Sequence, residues 1–172
     1  MTIHSNRNSV TRTQINAIAT LGVTLMSTIV FSASAYASEQ HTYPGSICDA
    51  TSSVGAALLD KYAGRALNTS SSQTINYVVC PIVRDVLNSS TIGPKAYIRV
   101  KNTKNVTTTC WLESINSDGG YFDYQAKSLS GAGTSTLVIQ LAASSTQSGR
   151  PYQLECSLPS GSSVLQYNVV EN

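Results

Sequence analysis

Apolar and polar residues alternate with a period of two through most of the chain from residue 96 onward. Ala96, Ile98 and Val100 are interleaved with Tyr97, Arg99 and Lys101. Thr108, Cys110 and Leu112 are interleaved with Thr107, Thr109, Trp111 and Glu113. The same rhythm runs through Leu137, Ile139 and Leu141, through Tyr152, Leu154, Cys156 and Leu158, and through Leu165, Tyr167 and Val169. Successive side chains of a strand point to opposite faces, so each segment predicts a strand with one buried and one wet face. Tyr121 to Ala126 predicts another strand, entered from the turn Asp118-Gly119-Gly120. Strict alternation there sets Tyr121 and Tyr124 on opposite faces. Ile75 to Cys80 is almost continuously apolar and predicts a central strand covered on both sides, ended by Pro81, which has no N–H to donate.

Upstream the pattern is weaker. Ser52 to Ala63 reads either as a short helix capped by Ser52 or Ser53 or as an irregular edge strand. Asn68 to Gln73 is a polar loop, and residues 38–47 read as a lead-in, extended or disordered. In sum the pattern predicts seven or eight strands punctuated by Gly, Ser, Asn and Pro. A lone sheet of such strands would leave its apolar face in water, and packing two sheets face to face removes that cost. The expected fold is therefore all-β: a two-sheet antiparallel β-sandwich, jelly-roll or immunoglobulin-like, with a small barrel as the third option.

Residues 1–37 do not fit this pattern. Arg7 and Arg12 make a positive start, Ile15 to Phe31 carries no charge, and Ala35-Tyr36-Ala37 is a small-x-small end. Those are the three parts of a secretory signal, so residues 1–37 are expected to be a signal peptide and 48–172 one sandwich domain behind the lead-in. The competing reading is a membrane anchor. It is weakened by Asn16 and by several Thr and Ser, and the run falls short of the ~20 apolar residues that span a bilayer. No membrane span is expected after processing, and the expected location is secreted or periplasmic.

Removing the signal changes the charge. The chain has 11 Lys and Arg against 9 Asp and Glu; without Arg7 and Arg12 the two signs balance. A neutral domain lacks the electrostatic footprint of a nucleic-acid binder. Lys95, Arg99, Lys101 and Lys104 form one basic stretch, read as a solvated edge in preference to an anion site.

All four cysteines, Cys48, Cys80, Cys110 and Cys156, follow the signal, and an even count in an exported domain reads as two disulfides. Of three possible pairings we favour Cys48–Cys80 and Cys110–Cys156. Cys110 alternates in phase with Leu112, and Cys156 with Leu154 and Leu158, so both sulfurs should enter the core. Zinc is disfavoured, with no Cys-x-x-Cys and no nearby His.

The segments Cys80-Pro81-Ile82-Val83-Arg84-Asp85, Cys110-Trp111-Leu112 and Cys156-Ser157-Leu158-Pro159 resemble those of a group of small exported bacterial proteins with four cysteines and a Cys-Pro-x-x-Arg-Asp segment. The resemblance implies a bacterial source and no particular activity.

Candidate chemistry is sparse. Nucleophilic catalysis needs a base beside the nucleophile, and His41 is the only histidine after the signal. Phosphate-cradling loops are missing; Gly131-Ala132-Gly133 is a turn between strands. Glu113 and Asp123 could face each other across a hairpin as the carboxylate pair of a glycoside hydrolase. Together with Asp118 they could also offer oxygens to calcium, although no ordered ligand loop is visible. Arg84 and Asp85 are expected to brace a loop. No metal, cofactor or catalytic residue is assigned. Trp111, Tyr121 and Tyr124 remain as candidate ligand-binding aromatics, suited to stacking on sugar faces or anchoring a protein. The favoured reading is a non-enzymatic exported domain that binds glycan or a cell-surface protein or serves structurally. The alternatives are a carbohydrate-active hydrolase using Glu113 and Asp123, and a secreted inhibitor or toxin-like protein.

Overall fold

The computed structural model describes residues 39–84, 92–146 and 150–171. The proposed signal and Asp85 lie outside them, as does Asn88, which like Asn68 begins an Asn-x-Ser/Thr glycosylation sequon. Strands are β1 (Glu39–Pro44), β2 (Asp49–Ala50), β3 (Leu59–Asp60), β4 (Ala66–Asn68), β5 (Asn76–Cys80), β6 (Lys95–Asn102), β7 (Thr107–Ile115), β8 (Tyr121–Ser130), β9 (Gly133–Gln140), β10 (Tyr152–Leu158) and β11 (Ser162–Glu171). One short helix, α1, spans Ser53–Ala57.

The strands form two antiparallel sheets, as the alternation predicts. The six-stranded sheet runs β3-β4-β11-β6-β9, with β1 pairing β11 beside β4; the five-stranded sheet runs β2-β5-β10-β7-β8. Ala96, Ile98, Val100, Leu137 and Ile139 from the first pack with Cys110, Leu112, Leu154 and Leu158 from the second. Burying a Val, Leu or Ile side chain stabilises by about 1.5–3 kcal/mol, so this shared layer is the main cohesive term between the sheets.

Both favoured disulfides are present, Cys48–Cys80 and Cys110–Cys156. Neither joins the two layers. Cys110 and Cys156 are directly opposed on β7 and β10, and Cys48 immediately precedes β2, whose Asp49 is opposite Val79 of β5. The sulfurs point into the core, but each bridge ties two neighbours of the five-stranded sheet.

Four local expectations change. First, the lead-in is an ordered strand: Tyr43 of β1 stacks on buried Tyr167 with centroids 4.9 Å apart and accepts a hydrogen bond from Val83 N at 3.2 Å. Second, β5 is not covered on both faces. Its burial alternates, with Val78 and Cys80 inside and Tyr77 exposed, because in a two-sheet sandwich only the inner face of each sheet is covered by the other. Third, Leu165 falls in a register shift between Val164 and Gln166. Val164 therefore takes the inward place that strict alternation gave to Leu165. Fourth, Ser52 to Ala63 is both helix and strand: Ser52 Oγ accepts from Gly55 N at 3.0 Å to cap α1, and β3 follows.

Buried amides hold the turns. Asn102 donates to the carbonyls of Val106, Leu129 and Gly131 at 3.0–3.1 Å and accepts from Thr108 Oγ1 at 2.6 Å. Asn68, a sequon residue, is fully buried; its amide donates to Thr74 and Leu158 carbonyls at 2.9 and 2.7 Å. Such satisfied amides are structural, since losing one partner strands a buried carbonyl.

Gly45 marks a close approach. A Cβ there would lie 2.1 Å from the Val164 carbonyl oxygen, just before the β11 bulge. Gly45→Ala is expected to destabilise the domain by about 1–3 kcal/mol through overpacking, read from the urea unfolding midpoint. The double substitution Cys110→Ala with Cys156→Ala is expected to cost about 2–5 kcal/mol in the same assay while the strand signature in circular dichroism persists.

Candidate functional site

The outer face of the five-stranded sheet carries a group of exposed aromatic rings beside two largely buried acids. Its rows follow from the register. Trp111 of β7 lies between Glu155 of β10 and Ala126 of β8, and Glu113 lies between Gln153 and Tyr124. Cys110 and Leu112 point the other way, into the core. Trp111 therefore turns outward, as alternation predicts, and is half-buried.

Tyr121 is placed differently from expectation. The β7–β8 register shifts next to Ser114: Asp123 is opposite Ser114 and Tyr121 is opposite Ile115, which leaves Phe122 as the extra residue of a bulge. One extra residue reverses the parity of everything before it. Tyr121 and Tyr124 thus share the outer face instead of dividing between two. They are 60% and 58% exposed, with Phe122 at 45%. The guanidinium of Arg150 lies 3.5 Å from the Phe122 ring centroid, a cation–π contact.

The electrostatics agree with that placement. The Tyr121 hydroxyl is pushed above its ordinary pKa chiefly by the negative charge of Glu113, then by that of Glu155, with a smaller contribution from burial. Glu113, only 7% exposed, is held above the usual carboxylate range by loss of solvation, partly offset by a 2.9 Å hydrogen bond from Gln153 Nε2. Glu155 is raised by burial and then by repulsion from Glu113. Two carboxylates on adjacent strands and three rings thus share one surface. Such a surface can stack on apolar faces, accept hydrogen bonds from hydroxyls and attract cations.

The pairing of Glu113 with Asp123 is not found. Asp123 is opposite Ser114, so it faces inward while Glu113 faces outward. Asp123 accepts a short hydrogen bond from Ser145 Oγ, and Ser114 Oγ donates to the Ser145 carbonyl at 2.7 Å, so this acid closes the gap beside β8. Asp118 accepts from Gly120 N at 3.0 Å within the hairpin turn, where Gly119 adopts φ +84°. Among the described residues no three His, Cys, Asp or Glu side chains gather where they could hold a metal ion. The carboxylate neighbour of Glu113 is Glu155, which sequence spacing did not single out; the disulfide phase of Cys110 and Cys156 would have located it, because it sets Trp111 beside Glu155.

The remaining candidates have local roles. Arg84 donates to the Arg150 carbonyl and lies 5.6 Å from the Tyr152 ring centroid, bracing the segments around Pro81 and Pro151. His41 sits in β1, its ring 6.1 Å from that of Tyr43. Lys104 donates to Ser160 Oγ at 3.1 Å. Lys95, Arg99 and Lys101 are not at a sheet edge, since β6 lies between β11 and β9.

No protein-family model matches the chain, and no curated protein matches it. Among solved structures it is similar to the isomalto-dextranase of Arthrobacter globiformis T6 complexed with panose, at 13% identity and a TM-score of 0.43. The match covers 76% of this chain and 23% of that enzyme's chain, so this chain spans less than a quarter of its length.

Because burial raises the carboxyl pKa of Glu113, the folded state holds its proton to higher pH than the unfolded chain does. Stability therefore falls as pH rises from the unfolded carboxylate pKa through the folded one. Glu113→Gln is expected to flatten this decline between about pH 4 and 7, seen as a smaller pH dependence of the urea midpoint.

Proposed function

We propose that the domain is a non-catalytic binding module that works outside the cytoplasm and presents the outer face of its five-stranded sheet to the sugar rings of a surface glycan. The observation that carries this reading is the bulge at Phe122, which brings Tyr121 and Tyr124 to one exposed face beside Glu113 and Glu155. Rings left in water forgo the burial that would otherwise stabilise the fold, and contiguous exposed apolar surface on a soluble domain marks an interaction site. Tyrosine and tryptophan rings stack on the C–H faces of sugars, while carboxylate and amide oxygens accept from the hydroxyls at the ring edge.

Two further observations support an extracytoplasmic setting. The four cysteines are paired in two disulfides, which persist in oxidising compartments. The charged-apolar-small order of residues 1–37 supports export on its own terms. A hydrolytic role through Glu113 and Asp123 has no support in the register, since the two side chains leave opposite faces of the sheet.

Affinity electrophoresis through gels containing neutral polysaccharides tests the reading. At least one is expected to retard the protein. Tyr124→Ala and Trp111→Ala are each expected to weaken that retardation about tenfold, a change of ~1.4 kcal/mol. Tyr62→Ala, at a 76% exposed ring outside both large sheets' centres, is expected to leave it unchanged. Absence of retardation by any neutral polysaccharide, or equal effects of all three substitutions, would refute the assignment.

A further inference from the structure

The opposite face of the molecule carries a second, chemically distinct surface. On the outer side of the six-stranded sheet an open groove of about 420 Å³ is lined by Tyr97, Arg99, Thr136, Gln40, Gln166 and Asn168. The register explains the grouping. Arg99 lies between Thr136 of β9 and Gln166 of β11, and Tyr97 lies between Val138 and Asn168. Gln40 comes from β1, opposite Val170.

Three properties of this groove point to a ligand. Arg99 is exposed at one end of the groove and makes no ion pair among the described residues, so its guanidinium fork is open to an anion. Lys101 and Lys95 stand on the same face of β6, about 7 Å and about 13 Å along the strand from Arg99. The neutral lining combines amides and hydroxyls with the apolar surface of Tyr97 and Val170, and Asn168 Nδ2 is held by donating to Thr42 Oγ1 at 3.0 Å.

We infer that this groove binds a carboxylate-bearing polysaccharide, a chain of uronic acid type. One carboxylate sits in the fork of Arg99, and neighbouring acid groups reach Lys95 and Lys101. The planar guanidinium fork offers a carboxylate a two-point contact. Amides and hydroxyls on both sides suit a ligand dense in hydroxyl groups, and an open groove across strands suits an extended chain. The site is independent of the aromatic face on the other sheet. Either can fail without the other.

The test uses the full domain with both disulfides intact in affinity gels containing polygalacturonate, dextran, dextran sulfate or a single-stranded oligodeoxynucleotide. Polygalacturonate is expected to retard the protein strongly at low salt and progressively less as salt rises. Arg99→Gln is expected to reduce that retardation at least tenfold. Arg99→Lys is expected to restore only part of it, because it keeps the charge and loses the fork. Tyr124→Ala, on the other face, is expected to have no effect on it. Because Arg99 is exposed, circular dichroism of the variants should match the parent. The inference is overturned by retardation in polygalacturonate that Arg99→Gln leaves unchanged. It is equally overturned if dextran sulfate or the oligonucleotide retards the protein as strongly as polygalacturonate, since the groove would then trap polyanions without reading a carboxylated sugar.

Discussion

The constraint on which the molecule depends is parity. Two antiparallel sheets can share a dry layer only if alternate residues of every strand turn toward it, and that requirement fixes what every other residue can do. Ile98 and Val100 must face inward, so Arg99 must face outward; Cys110 and Leu112 must face inward, so Trp111 must face outward. The outer surfaces are therefore not free choices of side chain but the complement of the core. Where an extra residue enters a strand, the complement is rewritten, and both rewritings matter. At Leu165 the shift keeps Val164 and Tyr167 both in the core. At Phe122 it brings a second tyrosine to the exposed face.

Much of this was legible in residue order. The alternation of β6, β7, β9 and β10 assigned their inward residues correctly, and the shared phase of Cys110 and Cys156 identified one of the bridges. What could not be read is pairing between distant segments. Period two says which residues share a face of a strand, but not which strand lies beside it. Hence the phase of the cysteines placed the sulfurs in the core but did not show that each bridge joins neighbours within one sheet. Hence also β6 was read as an edge, whereas it lies between β11 and β9. Bulges are invisible to a period count because they are failures of the period; only the two glycines at the mouth of the β7–β8 hairpin hinted at one. The ordering of β1 depended on the stacking of Tyr43 on Tyr167, a contact between residues at opposite ends of the domain.

The two outer faces differ in kind. One combines tyrosine rings with paired acids whose ionisation is resisted by burial and mutual repulsion. The other combines cations with neutral amides around a groove. A net balance of charge over residues 38–172 conceals this local separation of Glu113 and Glu155 on one sheet from Lys95, Arg99 and Lys101 on the other. Composition therefore argues correctly against a broadly basic surface and says nothing about a local one. For a domain that carries such faces back to back, contact with two dissimilar polymers at once is geometrically open.

The placement of the sulfur bridges also sets how the domain bears load. The five-stranded sheet is laced covalently across two of its four joints, while the six-stranded sheet carries no disulfide among the described residues. The described segment starts and finishes in that second sheet, with Glu39 directly across from Glu171. Tension applied at these two points would act as on a zipper, parting β1 from β11 one rung at a time. Shear across many rungs at once would not be engaged, and neither sulfur bridge would feel the pull until the seam had opened. The laced layer is thus a rigid plate and the other a compliant one, so any tether at these positions would yield gently while the plate kept its shape.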